Sequence, residues 1–387
     1  MADIGVVHAS ITAGGGAEAV GVHTVAALIE AGHDVTLYTT DAPDFSALNE
    51  RLGTTVPGTV DIVTVDGATV AAVELARRAA RPLGVTDFPL LRQTVFERIV
   101  ADRYQSAHDT LVCTHGEFSI GDTVEYVHFP YFSPAAMRQY GTRFEESLYP
   151  PYHRLCRALK RRDSGGTRTT LTNSTWTATV IAETLGRDAR VLHPPVDTDA
   201  FDPPEWEAME SGFVSVGRIH PLKRQQLAID IVDALRASGV DTHVHIVGPV
   251  GDESYHADLA DRASTRPYVH LEGELPRSDL TALLESHRYG LHTRRYEHFG
   301  MAVAEMVASG SLPFVHASGG QQAVVGNIDE LCYSDRADAV EKIGTTLRTP
   351  QSHQRLLEEL SQRAQFNSRA QFREEVVAAV EAHLTSE

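Results

Sequence analysis

Short apolar runs alternate along this chain with longer segments whose apolar residues recur at helical spacing, and the alternation begins at once. Ile4 to His8 reads as a buried strand, the segment from about Ala17 to Ala31 as a helix, and Asp34 to Thr40 as the next strand. Further strands are expected at Val60 to Val65, Leu111 to Thr114, Val124 to Phe129 and Thr169 to Thr172. Strands separated by helical segments pair in parallel, because a parallel pair needs a crossover long enough to hold a helix. A second series of the same kind follows: Phe213 to Val216, a helix from about Arg224 to Ala237, His243 to Val247, Val269 to Leu271, Tyr289 to His292, and Leu312 to His316. The acidic, proline-rich stretch Asp197 to Gly212 reads as a linker. The pattern predicts an α/β protein of two Rossmann-like domains, each a doubly wound parallel sheet, residues 1–203 and 204–369, with a cleft between them. Beyond Thr349 the chain reads as helical, with a break near Asn367 to Arg369.

Composition narrows the partners. The 387 residues suffice for two cores. A formal net charge of -18, from 52 acidic against 34 basic residues, excludes nucleic acid as a partner, since a polyanion would be repelled over most of the surface. Lysine occurs only at Lys160, Lys223 and Lys342, and so acidic and lysine-poor a chain suits a salty cytoplasm such as that of halophilic archaea, where counterions screen self-repulsion. Cys113, Cys156 and Cys332 are odd in number and widely spaced, which indicates neither a disulfide framework nor a cysteine zinc site. The start M-A-D-I-G-V-V-H has no basic region ahead of its apolar run, and no run approaches the ~20 apolar residues needed to cross a bilayer, so no signal peptide is expected. A cytoplasmic protein is expected, at most peripheral on the cytoplasmic membrane face.

Two stretches carry candidate chemistry. In Y-E-H-F-G-M-A-V-A-E-M-V-A-S-G, from Tyr296 to Gly310, the carboxylates of Glu297 and Glu305 bracket a turn that opens a short helix. Backbone N–H groups at such a turn face whatever anion lies before it. The two acids lie roughly 12 Å apart at about 1.5 Å of rise per residue, which suits two ends of one elongated ligand, a hexose and a ribose. A solvated helix with two unrelated glutamates fits the spacing equally well. Upstream, V-S-V-G-R-I-H-P-L-K-R ends a strand in Gly217, Arg218 and Lys223, a planar fork and a compact charge that together suit a diphosphate. Ordinary exposed charges are the plain alternative. Gly14-Gly15-Gly16 after the first strand lacks the G-x-G-x-x-G spacing of a dinucleotide site, yet glycines there let the backbone approach a ligand.

With G-R-x-x-x-x-K followed by E-x7-E in this order, the chain resembles the retaining glycosyltransferases of family 4, which have the GT-B fold. Thr172-Asn173-Ser174-Thr175-Trp176-Thr177, His193-Pro194-Pro195-Val196-Asp197, the Ala13–Glu18 glycine loop and Tyr126-Val127-His128-Phe129-Pro130 extend the resemblance over nearly the whole chain. It looks closest to the branch that adds α-1,2-mannose to the lipid-linked N-glycan precursor in eukaryotes. The resemblance implies a hexosyltransferase with His128 and Glu297 beside the reacting sugar. It implies donor contacts from Gly15, Gly16, Gly217, Arg218, Lys223, Leu275, Phe299, Gly300, Met301 and Glu305. It also implies a C-terminal helix, 370–387, packed back on the first domain. The co-substrate is expected to be GDP-mannose or a UDP-hexose, with no cofactor and no metal. Asp197-Thr198-Asp199 then belongs to the family's V-D-x-x-x-F segment ending at Phe201 rather than to a metal motif.

Tyr149 to Arg162 gathers Arg154, Arg157, Lys160, Arg161 and Arg162 in an otherwise acidic chain, with Tyr149, Tyr152, Leu155 and Leu159 interleaved. Such a segment is expected either to rest on an anionic membrane beside a lipid-linked glycan acceptor or to be a solvated helix. A glutamate after the glycines is common in the family, whereas Ser318-Gly319-Gly320 is followed here by Gln321 and Gln322. A non-catalytic sugar-nucleotide-binding subunit is the alternative function.

Overall fold

The computed structural model describes residues 1–12, 15–65, 89–118, 122–141, 149–160 and 167–386. It divides into two compact units, Met1–Pro195 with Arg369–Glu387, and Val196–Ser368.

The first unit is built on a seven-stranded sheet in the order Asp61–Thr64, Asp34–Thr39, Asp3–Val7, Thr110–Cys113, Thr123–Val127, Arg168–Thr172, Arg190–Val191, with every neighbour parallel. The chain starts in the middle, builds to one edge, then returns to build the other half. That order makes the carboxyl ends of Asp3–Val7 and Thr110–Cys113 the topological switch point, where open α/β sheets receive their ligands. Helix Gly16–Glu30 is buried from Ala19 through Leu28. A helix apolar on every side must be covered on every side, and helix Arg369–Leu384 supplies the cover through Phe372, Val376, Ala379 and Val380.

The second unit repeats the scheme with six strands in the order Val269–Gly273, Val244–Val247, Glu210–Val216, His287–His292, Leu312–His316, Cys332–Tyr333, all parallel. Its switch point lies between the carboxyl ends of Glu210–Val216 and His287–His292. The larger of its core clusters lies around Phe213, Val244, Ile246, Tyr289, Leu291 and Phe314, with a smaller one at Val214, Val247, Leu284 and Met306; each fully buried aliphatic or aromatic side chain contributes about 1.5–3 kcal/mol.

The expected linker is a correction. The chain enters the second unit at Val196, eight residues before the expected boundary at 203/204. Asp197–Gly212 is ordered as 3₁₀ turns at Thr198–Ala200 and Trp206–Ala208 followed by the start of the central strand. Trp206 anchors it, its ring 5.8 Å from that of Tyr289 and 5.4 Å from that of His353. The prolines and acids that gave a linker reading shape turns, which Trp206, Phe201 and hydrogen bonds from Arg288 to the Trp206 and Glu207 carbonyls bind to the core.

Candidate functional site

At the switch point of the second unit, the Glu210–Val216 strand ends in Gly217, and the methylene stem of Lys223 lies against that glycine. Lys223 sits in a 3₁₀ turn, Pro221–Lys223, started by Pro221 and capped by the His220 ring. Its Nζ donates to Glu297 Oε2 at 2.6 Å. The adjacent strand, His287–His292, delivers the other partners. His292 Nε2 lies 3.3 Å from Oε2, and Arg294 Nη1 lies 3.2 Å from Oε1. Glu297 is 9% exposed, and burial by itself would favour its neutral acid. Lys223, Arg294 and His292 outweigh that cost and hold its carboxyl well below the usual carboxylate range. Both oxygens are therefore occupied by cations and the imidazole. Glu297 is thus an anion that fixes Lys223 and Arg294 in place.

A polar relay holds the loop that carries Glu297. Arg295 Nε donates to His316 Nε2 at 3.1 Å, His316 Nδ1 lies 2.9 Å from Ser318 Oγ, and the Tyr296 N–H donates to that same oxygen at 2.9 Å. Burial and then Arg295 push His316 down to about 4, which keeps it neutral and able to accept from Arg295. Tyr296 adopts φ +52°, uncommon for a bulky residue and held there by this relay. Gln321 is fully buried, and its Nε2 donates to the carbonyls of Arg294 and His316 at 2.8 Å each. A glutamate has no N–H to donate to two carbonyls, so the departure from the family pattern is a structural clamp on this loop.

Other expected residues fall differently. Glu305 Oε1 accepts from Arg277 Nη1 at 2.7 Å, and Arg277 also lies 3.5 Å from Asp197 Oδ2. Arg277 gave no sequence signal, because a lone arginine after a proline has no motif around it. Arg218 is exposed, its stem against Gly251, and it forms no ion pair among the described residues. Phe299 is 4% exposed and belongs to the hydrophobic core, Met301 packs beside it, and Leu275 packs with Val214, Val247, Leu284 and Met306. The Phe299 side chain is thus structural, leaving its backbone for any ligand. Gly300 starts helix Met301–Ala308 with no side chain capping its first turn, which leaves N–H dipoles for an anion.

In the first unit, Gly15 opens helix Gly16–Glu30, also without a side-chain cap, and both Gly15 and Gly16 are exposed. Ala13 and Gly14 of the same loop lie outside the described residues. His128 follows the Thr123–Val127 strand. Its Nε2 donates to the Thr114 carbonyl at 2.9 Å, and its own carbonyl accepts from Asn173 Nδ2 at 2.9 Å. Burial lowers His128 to about 4, so it is neutral, with Nε2 protonated and Nδ1 carrying the lone pair. Asn173 is held in turn: its Oδ1 accepts from Thr177 Oγ1 at 2.7 Å, while Ser174 caps helix Thr175–Leu185. The T-N-S-T run is a clamp on the His128 backbone.

Lys160 corrects the reading of the basic segment. Helix Tyr149–Leu159 turns Tyr152, Cys156 and then Lys160 inward, where Lys160 Nζ lies 3.2 Å from Glu97 Oε2, donates to the Glu117 carbonyl at 2.7 Å and sits 3.5 Å over the Phe132 ring. Arg154, Leu155 and Arg157 remain exposed. Arg161, Arg162 and the Tyr149 side chain lie outside the described residues.

These buried histidines set a pH dependence. Burial holds His23 at about 3, and His128 and His316 at about 4, below the imidazole value of 6.5. Neutral in the fold and protonated when unfolded, they give stability that is full above pH 6.5 and is lost as pH falls toward 4. His115 is opposite: burial disfavours its charge, yet Cys113 and Glu97 raise it to about 10. Its contribution is full below pH 6.5 and is lost as pH rises through 10. Thermal unfolding followed by circular dichroism should peak near pH 6.5–7 and fall more steeply on the acid side, where these and other burial-depressed histidines such as His8 and His292 act, than on the alkaline side. A profile flat from pH 6.5 to 4 would refute this.

Residues 14–200 match the family model Glycosyltransferase Family 4, and residues 197–364 match Glycosyl transferases group 1. The GDP-Man:Man(3)GlcNAc(2)-PP-Dol alpha-1,2-mannosyltransferase of Candida glabrata is 27% identical over 167 residues, 39% of this chain and 33% of that protein. The Homo sapiens protein of the same name is 29% identical over 167 residues, 39% of this chain and 34% of its own. The matches thus span about a third of the length of these relatives. Among solved structures, WaaG, a glycosyltransferase involved in lipopolysaccharide biosynthesis, aligns with a TM-score of 0.68 at 14% identity, over 97% of this chain and 98% of that one. Anabaena HepE in complex with UDP and glucose aligns at 0.63 and 14%, over 99% and 100%. These likenesses show the GT-B fold. With both family models falling on consecutive halves and the fold in agreement, the chain belongs to the family 4 glycosyltransferases.

Proposed function

We propose that the protein transfers a hexose, mannose from GDP-mannose, to a lipid-linked glycan with retention of anomeric configuration. The observation that carries the choice of sugar and acceptor is the shared name of its curated relatives, each a GDP-Man-dependent mannosyltransferase acting on a dolichol-diphosphate glycan. The Lys223–Glu297 pair at the switch point supports a diphosphate leaving group. Lys223, the exposed Arg218 and the uncapped N–H groups of helix Met301–Ala308 neutralise the charge that develops as the glycosidic bond loosens. Glu297 acts as a fixed anion that positions Lys223, not as a proton donor. Neutral His128 orients a sugar hydroxyl through Nδ1, while the acceptor hydroxyl attacks the face the diphosphate leaves and passes its proton to the departing diphosphate oxygen. No metal takes part in this scheme, so turnover should survive a chelator. A lipid-linked acceptor would bring the protein to the cytoplasmic membrane face, and the exposed Arg154, Leu155 and Arg157 support that contact.

Thermal-shift titrations with GDP-mannose, UDP-glucose and dTDP-glucose, at low and at high salt, test the donor. A donor at a hundredfold its Kd stabilises by about 2.7 kcal/mol, which is a rise of several degrees. GDP-mannose should give the rise and UDP-glucose should not. A rise with UDP-glucose alone would replace mannose by a UDP-hexose.

A further inference from the structure

Four histidines meet at the other end of the second sheet. His243 precedes the Val244–Val247 strand, His245 lies on it, His270 on Val269–Gly273, and His287 opens His287–His292. Two of these strands flank the central strand Glu210–Val216, and their rings could touch only by crossing over it. The register sets His243 beside Gly212 and His287 beside Glu210. Gly212 is what permits the crossing, because a Cβ there would fall on the His243 ring. With that space open, His243 Nε2 and His287 Nε2 approach to 3.0 Å, and one ligand nitrogen from each of His243, His245 and His287 lies within 4.8 Å of the others.

The outward nitrogens are held as metal-binding imidazoles are held. His287 Nδ1 lies 2.9 Å from the Leu283 carbonyl and His245 Nδ1 lies 2.7 Å from Glu272 Oε1. Each contact protonates Nδ1 and leaves the lone pair on Nε2, the arrangement in which a carbonyl or carboxylate orients a ligating histidine. His270 stacks on His245 at 4.5 Å between ring centres and fixes its plane. Glu210 Oε2 lies 3.7 Å from His243 Nε2 and its side chain is 63% exposed, so it is free to swing inward. Burial lowers the pKa of His243, His245 and His287, which disfavours the imidazolium form. Tetrahedral ligands at about 2.0–2.1 Å from zinc stand roughly 3.3 Å apart, inside the spread of these atoms.

We propose that His243, His245 and His287 bind one divalent first-row transition-metal ion, zinc by the chemistry of three imidazoles, with the Glu210 carboxylate as fourth ligand. The ion staples the amino-terminal ends of three neighbouring strands. It lies roughly 20 Å along the sheet from the Lys223–Glu297 pair at about 3.3 Å per residue, so it stabilises the unit without entering the transfer reaction. The other candidate group, Glu97, Cys113 and His115, already holds the Lys160 ammonium.

The untagged full chain, stripped with EDTA and desalted, is titrated with Co²⁺ and then Zn²⁺. One equivalent of Co²⁺ should give the intense visible bands of a tetrahedral site, one equivalent of Zn²⁺ should abolish them, and Zn²⁺ should raise the Tm. His243→Ala/His245→Ala should lose the bands and the Tm rise while keeping transferase turnover, and Glu97→Gln should keep all three. If the wild-type chain gives no bands and no Tm rise, the four rings are only a stacked, hydrogen-bonded cluster and the proposal falls. It falls equally if the double variant binds Co²⁺ as the wild type does. Should the double variant fail to fold, the wild-type titration alone decides.

Discussion

Replacing Lys223 with Met is expected to lower kcat by about 10²–10³-fold, the range found when one preorganised charge-stabilising donor is removed, while leaving the protein folded. The structure gives the reason for the asymmetry. Without the ammonium, Glu297 keeps Arg294 at 3.2 Å and His292 at 3.3 Å, so the buried carboxylate stays compensated. The reverse change is not equivalent. Glu297→Gln leaves Lys223 and Arg294 facing each other over a neutral amide, and breaking a largely buried pair from one side costs about 3–5 kcal/mol. It should therefore lose both stability and turnover, and Lys223→Met/Glu297→Gln should recover part of that stability. Denaturant unfolding of the three variants beside steady-state rates measures both effects. Lys223→Met retaining wild-type turnover would remove Lys223 from the site, and equal stability in Lys223→Met and Glu297→Gln would remove the buried-anion account.

Gly319→Val is expected to have the second largest effect, about 2–6 kcal/mol, and to take turnover with it. Gly319 has φ +81°, a region costing a β-branched residue about 1–3 kcal/mol. A Cβ there would also run into the Glu297 backbone, which cannot swing aside as a side chain can, and such overpacking adds about 1–3 kcal/mol. The same contact is the bridge between Glu297 and Gly319, reinforced by the Gly320 N–H donating to the Glu297 carbonyl at 2.7 Å. Pushing the two segments apart displaces Glu297 and, through it, Lys223. Wild-type stability in this variant would show that the loop yields and that the bridge does not hold the site.

Most strands were legible as short runs rich in apolar or β-branched residues, and parallel order follows from the helices between them; the edge strands Arg190–Val191 and Cys332–Tyr333, two residues each, were too short to show. Gly217, Lys223 and Glu297 were legible as a motif, since a fixed spacing around a strand end survives in the linear sequence. What was not legible is which charge meets which. Arg294 and His292 carry no pattern of their own and gain meaning only when the parallel register brings the His287–His292 strand beside the Lys223 turn, while Arg277 gains it only where it meets Glu305 and Asp197. The same holds for the histidine cluster, whose members are spread over residues 243–287 and meet across a central strand through the absence of one side chain at Gly212. Lys160 was misread as surface charge because helical spacing tells which residues share a face, not which face is covered.

Helix Arg369–Leu384 completes the core of a unit whose other residues all precede Val196. During synthesis the apolar flank of Gly16–Glu30 therefore stays uncovered until residue 384 has left the ribosome, while Val196–Ser368 has all its own residues by then and is free to close first. The usual amino-to-carboxyl order of domain maturation is inverted: the half translated earliest is the half that finishes last.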